Sequence, residues 1–168
     1  MIVSIAVVQM AERNIWFPQI LNNELLIEAD RMAPQETGGV LLGYVGKNNE
    51  YVVTHLIGPG AEATHSRFRF VPDYEYQQSE INRIFMESEG VSDYFGDWHT
   101  HPKGSCHISL MDRRTLQRIK NTPEVNVNFP LMVIACDGRK TWNVAAWKYT
   151  CSRWLLGADV EQLNIKIF

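Results

Sequence analysis

Residues 96–112, GDWHTHPKGSCHISLMD, put two histidines and a carboxylate into one short segment, and the chain is read outward from them. The partly aromatic SDYFGDW before His99 predicts a strand. On a strand His99 and His101, two apart, project from one face as a two-tooth chelate. Pro102 ends the strand, and Lys103, Gly104 and Ser105 continue as a loop that turns the chain back. A helix then starts at Ser109-Leu110-Met111-Asp112 and runs through RRTLQRIK, with Leu110, Leu116 and Ile119 available for a buried face. Asp112 falls in its first turn, where it can reach back to the histidines. Two imidazoles and one carboxylate make the ligand set of a hydrolytic zinc ion, with the fourth position left for water. Each half also has a plain structural reading. Ser-x-x-Asp is a helix cap, and two strand histidines can simply face solvent. In combination they point to one zinc per chain.

A hydrolytic metal site needs a general base. Glu36 is the candidate, in PQETGGVLLG (residues 34–43), where a helix gives way to an apolar strand. A carboxylate near a helix C-terminus is disfavoured by the dipole, so stability accounts for it poorly. The alternative is an exposed loop glutamate.

Taken together, ETGGVLLG, HTHP, and Ser109 with Asp112, ten residues lying between His101 and Asp112, resemble the JAB/MPN metalloprotease family over nearly the whole chain. The resemblance is greatest to the short, stand-alone prokaryotic members associated with ubiquitin-like conjugation, including those of antiphage systems. It implies Glu36 as general base, His99, His101 and Asp112 as zinc ligands, and Ser109 as oxyanion stabiliser. Ile108 stands where many members have proline before the serine. The implied activity is that of a zinc isopeptidase or processing peptidase cutting the amide after the C-terminal glycine of a ubiquitin-like protein or its conjugate. The implied partners are that protein and the activating and conjugating enzymes of its pathway. Two other readings are a catalytically silent MPN scaffold and a zinc hydrolase of another small amide.

The 168 residues, 45% hydrophobic and 21% charged, suit one globular domain spanning 1–168. A net charge of −3 argues against a general grip on nucleic acid, and Arg113, Arg114, Arg118 and Lys120 read as a solvated helix face. The opening IVSIAVV is apolar but short and lacks a preceding basic residue, so neither a signal peptide nor a membrane span is expected, and the expected location is cytoplasmic. Three cysteines, 106, 136 and 151, show no paired zinc spacing, so no disulfide framework is expected. Cys136, in the apolar run PLMVIAC, reads as a small core residue. Cys106 and His107 sit inside the candidate metal loop, where they could contact the ion, restrain the loop or do neither.

Elsewhere the pattern predicts an opening strand at IVSIAVVQM and an amphipathic helix over 20–32. Strands at 40–45 and 51–57 should form a hairpin around the polar turn 46–50. An alternating strand is expected at 67–71, then a helix capped by Asp73 and reaching Gly90. The metal-bearing strand covers 94–101. Two further strands, 131–135 and 142–147, should be joined by a turn at 137–140. Residues 152–168 carry no clear signal. Trp98, adjacent to His99, should point away from the metal face into the core, and Trp142 and Trp147 should pack as well. These elements amount to an α/β fold, a mixed and largely antiparallel sheet flanked by helices.

Overall fold

The computed structural model describes residues 13–125, 127–137, 141–150 and 159–168. Along the chain these form β1 (Asn14–Phe17), α1 (Gln19–Met32), β2 (Gly38–Val45), β3 (Tyr51–Ile57), β4 (Thr64–His65), β5 (Phe70–Val71), α2 (Tyr74–Glu87), β6 (Asp93–His101), α3 (Leu110–Lys120), β7 (Leu131–Asp137), β8 (Trp142–Thr150) and β9 (Asp159–Ile167). The opening strand expected at IVSIAVVQM and the centre of the 137–140 turn lie outside the described residues.

The main sheet runs in the order β1-β3-β2-β6-β7-β8-β9 and closes when β9 pairs with β1. Neighbours are antiparallel at β2–β3, β2–β6, β7–β8 and β8–β9, and parallel at β1–β3, β1–β9 and β6–β7. The expected α/β fold is therefore present, but its closure into a barrel was not anticipated. Closure depends on β1, a four-residue strand, and on β9, drawn from the region without a sequence signal. Both become strands because neighbours are there on either side to pair with.

Helices cover the sheet on both faces, which is why β7 is a continuous apolar run. Leu131, Val133 and Ala135 pack with Trp98, Leu25 and Phe17, whereas Met132 and Ile134 pack with Leu116 and Ile108 on the α3 side. Full burial of one such leucine contributes roughly 1.5–3 kcal/mol. Ile84 of α2 meets Val40, Leu42 and Ile57. Trp98 is buried as expected, its indole N–H donating to Ile57 O at 3.0 Å. Trp142 and Trp147 are partly buried against the core.

Four expectations need correction. Leu110 is 59% exposed, because nine residues before Ile119, at about 100° per residue, it faces the opposite side of α3. The alternating stretch 67–71 forms strand only at Phe70 and Val71. Ser66 closes a tight turn with Arg69 through both its N–H and its hydroxyl, leaving Phe68 88% exposed at the tip. Cys136 is buried, but as half of a disulfide to Cys106. The two are 30 residues apart in sequence and become neighbours only when the loop after β6 folds back on β7. The helix after Asp73 stops at Glu87, with Asp73 accepting from Tyr76 N–H as its cap.

Candidate metal centre

The site is built where β2, β6 and the start of α3 meet. β6 carries His99 and His101 on one face. Its alternation is interrupted once, by a register shift opposite Leu41 and Leu42, so that Phe95 and Trp98 both enter the barrel core. The same shift lets the Tyr94 hydroxyl donate to Asp97 Oδ1 at 2.8 Å, a pairing that strict alternation forbids at this spacing. Burial raises the Asp97 pKa to about 6, against the opposing pull of the Tyr94 hydroxyl and Arg118.

Helix α3 opens with a reciprocal capping box. The Ser109 hydroxyl accepts from Asp112 N–H at 3.1 Å, and Asp112 Oδ2 accepts from Ser109 N–H at 2.8 Å. This uses one carboxylate oxygen and aims the other inward. Oδ1 lies 3.3 Å from His99 Nε2, and Oδ2 lies 3.8 Å from His101 Nε2. The cap and the metal-facing carboxylate are thus one arrangement, and the two readings of Ser-x-x-Asp do not compete.

The hydrogen bonds at the far sides of the imidazoles fix which nitrogen faces inward. His101 Nδ1 lies 2.9 Å from Ser105 O, a pure acceptor, so Nδ1 carries the proton. His99 Nδ1 lies 3.2 Å from Met132 Sδ, also an acceptor only, so the same holds there. Burial lowers the His99 pKa to about 4, with His101 adding to the effect and Asp112 opposing it, so His99 is neutral at pH 7. The two Nε2 atoms then face each other at 2.8 Å beside the Asp112 carboxylate, the converging geometry of a cation site. The three donor atoms all fall within 4.8 Å of one another. This donor set fits a divalent metal held with one position open.

Glu36 joins the site through the sheet. In the β2–β6 register Gly38 pairs with His99, and the preceding Thr37 is bonded to Thr100, which sets Glu36 within electrostatic reach of His101 and Asp112. Glu36 is half-buried, and its pKa is raised above the ordinary carboxylate value, first by burial, then with His101 lowering and Asp112 raising it. Gly38 is required by this close approach. A Cβ there would lie 2.4 Å from Trp98 O and 2.9 Å from His99 Cβ.

All five sequence candidates, Glu36, His99, His101, Ser109 and Asp112, therefore converge. Cys106 does not belong to the ligand group, because the disulfide occupies its sulfur, and His107 sits beside Trp147 at 6.5 Å between ring centroids. Between His101 and Ser109 the loop is held by the bridge, by Trp147 N–H donating to Cys106 O, and by Gly104 N–H donating to His101 O. Sequence reasoning missed three supporting groups. Thr100, between the histidines and so on the opposite face, accepts from Thr37 N–H at 3.0 Å, and its own N–H donates to Thr37 O at 2.9 Å. Met132 backs His99. His65 reaches Glu36 O at 2.9 Å. Alternation around His99 could have exposed Thr100, but nothing local to His65 links it to Glu36.

A capped carboxylate and two inward imidazoles on an α/β barrel make a candidate metal centre of the hydrolytic kind. Residues 18–150 match the family described as prokaryotic homologs of the JAB domain. The chain belongs to that family. It is 41% identical over 134 residues to a probable metalloprotease of Sinorhizobium fredii, covering 79% of this chain and 82% of that one. It is also 34% identical over 77 residues to a CD-NTase/cGAS isopeptidase of Escherichia coli and over 83 residues to one of Vibrio cholerae. These matches cover 46% and 49% of this chain and 49% and 53% of those relatives. The solution structure of a protein from Desulfitobacterium hafniense superposes with a TM-score of 0.67 over 92% of both chains at 18% identity, a likeness of fold.

Proposed function

We propose that the protein is a zinc-dependent isopeptidase or processing peptidase that hydrolyses the amide following the C-terminal glycine of a ubiquitin-like protein or its conjugate. The observation that carries this reading is the convergence of three inward ligand atoms with Glu36, whose neighbour Thr37 is bonded to Thr100 between the two histidines. The name isopeptidase, borne by two relatives, supports an isopeptide amide as the bond cut.

His99, His101 and Asp112 would hold a zinc ion, which when bound would supply Lewis-acid polarisation of the carbonyl and an activated water. Glu36 accepts a proton as the water oxygen attacks the carbonyl carbon. Its raised pKa suits a base that must later give the proton up. The Ser109 oxygen already accepts from Asp112 N–H, which leaves its own proton free to donate to the oxyanion developing on the carbonyl. Glu36 then returns the proton to the amine nitrogen as the C–N bond breaks, giving a carboxylate and a free amine with no covalent enzyme intermediate. In this reading the protein works in the cytoplasm beside activating and conjugating enzymes, in a ubiquitin-like or antiphage pathway.

The test is incubation of the zinc-loaded protein with ubiquitin-like fusions extended beyond their terminal glycine, followed by intact-mass analysis. Wild type should release the extension. His101→Ala should lose most of its zinc and all turnover, and Glu36→Ala should keep zinc but not turn over. Equal zinc in His101→Ala removes the ligand set. Near-normal turnover by zinc-loaded Glu36→Ala removes the base. Cleavage of no fusion by the loaded wild type favours the silent scaffold.

A further inference from the structure

A general base must hold its carboxylate within a few tenths of an ångström of the proton it takes, yet stay free of hydrogen bonds that would occupy it. Among the described residues nothing hydrogen-bonds the Glu36 carboxylate. Its position is therefore set by the backbone that carries it. On the strand side, Thr37 is tied to Thr100 by the two bonds already described. On the other side Glu36 is gripped by the small β4–β5 hairpin, its N–H donating to Ser66 O at 2.8 Å and its C=O accepting from His65 Nδ1 at 2.9 Å. The acceptor is a carbonyl, so the imidazole must carry its proton on Nδ1.

The hairpin is itself seated on the site. The His65 ring lies 5.3 Å from that of Phe70, centroid to centroid, and Phe70 Cε1 would be 3.0 Å from a Cβ on Gly38, beside His99. The missing side chain at Gly38 thus makes room for the hairpin as well as for His99. Among the described residues, the hydrogen bond that a side chain makes to the Glu36 backbone is the one from the His65 ring.

We propose that His65 is a positioning residue for the reaction, holding the Glu36 carbonyl and so the carboxylate in its attacking register. This rests on the reading of Glu36 as the base. Two variants separate the ring's hydrogen bond from its packing. His65→Phe keeps a ring against Phe70 and removes the donor. His65→Asn loses the ring but offers an amide N–H near the position of Nδ1.

His65→Phe should lower kcat about 10- to 100-fold, the scale of a lost hydrogen bond or a sub-ångström to 1 Å misplacement, with KM and bound zinc unchanged. His65→Asn should recover most of kcat. Wild-type kcat in His65→Phe, or an equal loss in both variants, overturns the proposal. A second arm does not depend on turnover. Long-range ¹⁵N–¹H spectra should show His65 protonated at Nδ1, and amide hydrogen exchange at Glu36 should quicken in His65→Phe but not in His65→Asn while the β7 core is unaffected. A neutral ring protonated at Nε2, or exchange at Glu36 indifferent to the donor, also overturns it. If the spectroscopic arm succeeds but wild type cleaves nothing while Glu36→Ala matches it, the reading of Glu36 as base has failed, and the catalytic role of His65 with it.

Discussion

Reduction of the Cys106–Cys136 bridge should destabilise the protein by an amount calculable from its place in the chain. The bridge spans 30 residues of sequence. Cross-linking a loop of that length removes denatured-state entropy of about 2.1 + 1.5R ln n, which comes to roughly 3.6 kcal/mol at 25 °C. For a chain of this size that corresponds to a fall in Tm of about 10 °C. The bridge joins the loop between His101 and Ser109 to β7 at the residue that pairs with His101, so the reduced loop also loses its covalent anchor next to a proposed ligand. The assay is guanidinium unfolding of metal-free protein, oxidised and reduced with a phosphine, beside the Cys106→Ser/Cys136→Ser double variant. Metal-free protein avoids competition between reductant and ligands. Alkylation and mass analysis establish the thiol state of each sample. The reduced form and the double variant should unfold together, well before the oxidised form. Coincident unfolding of all three, with the bridge verified as present and absent, would refute the reasoning. So would free thiols at Cys106 and Cys136 in the oxidised sample.

Ser109→Gly should retain zinc and most of its stability, because the Ser109 N–H that holds Asp112 remains and glycine caps cost only about a few tenths of a kcal/mol. Its turnover should fall roughly 100- to 1000-fold, and near-normal rates would leave Ser109 as a cap alone. Gly38→Ala should force β2 and β6 apart at His99, lowering Tm and zinc affinity together at a cost of about 1–3 kcal/mol. An alanine variant with unaltered Tm and zinc binding would contradict that close approach. Asp97→Asn tests two opposed titrations. The Asp97 pKa is raised to about 6, so its contribution to stability is fully present below its unfolded value and is lost as pH rises toward 6. The His99 pKa is depressed to about 4, so its contribution is present above the unfolded value and lost as pH falls toward 4. In metal-free wild type these slopes offset one another between about pH 4 and 6, whereas Asp97→Asn should lose stability steadily as pH falls through that window. Parallel pH–stability curves for the two proteins would show that Asp97 is not the buried acid described.

The sequence by itself determined those parts of this protein whose cause is local. His99 and His101 share a face because strand side chains alternate, Ser109 caps α3 because its hydroxyl reaches the N–H three residues on, and the apolar run at 131–135 is a strand buried on both faces. Those rules act over a few residues and can be read in any chain. Glu36 was legible as an oddity near a helix end, but its place beside the histidines required the β2–β6 register, a pairing across more than sixty residues. The tertiary structure alone decided the rest. The shift in β6 that brings Tyr94 to Asp97 comes from fitting two strands into a closed sheet. Strand β9 exists because β8 and β1 are both there to bond it. Cys106 meets Cys136, and His65 meets Glu36, only because segments distant in sequence, a loop and a strand in each case, fold against each other. Such contacts leave no periodic trace, since neither partner's neighbours need to resemble anything in particular; the free energy that selects them is spread over the whole packed core.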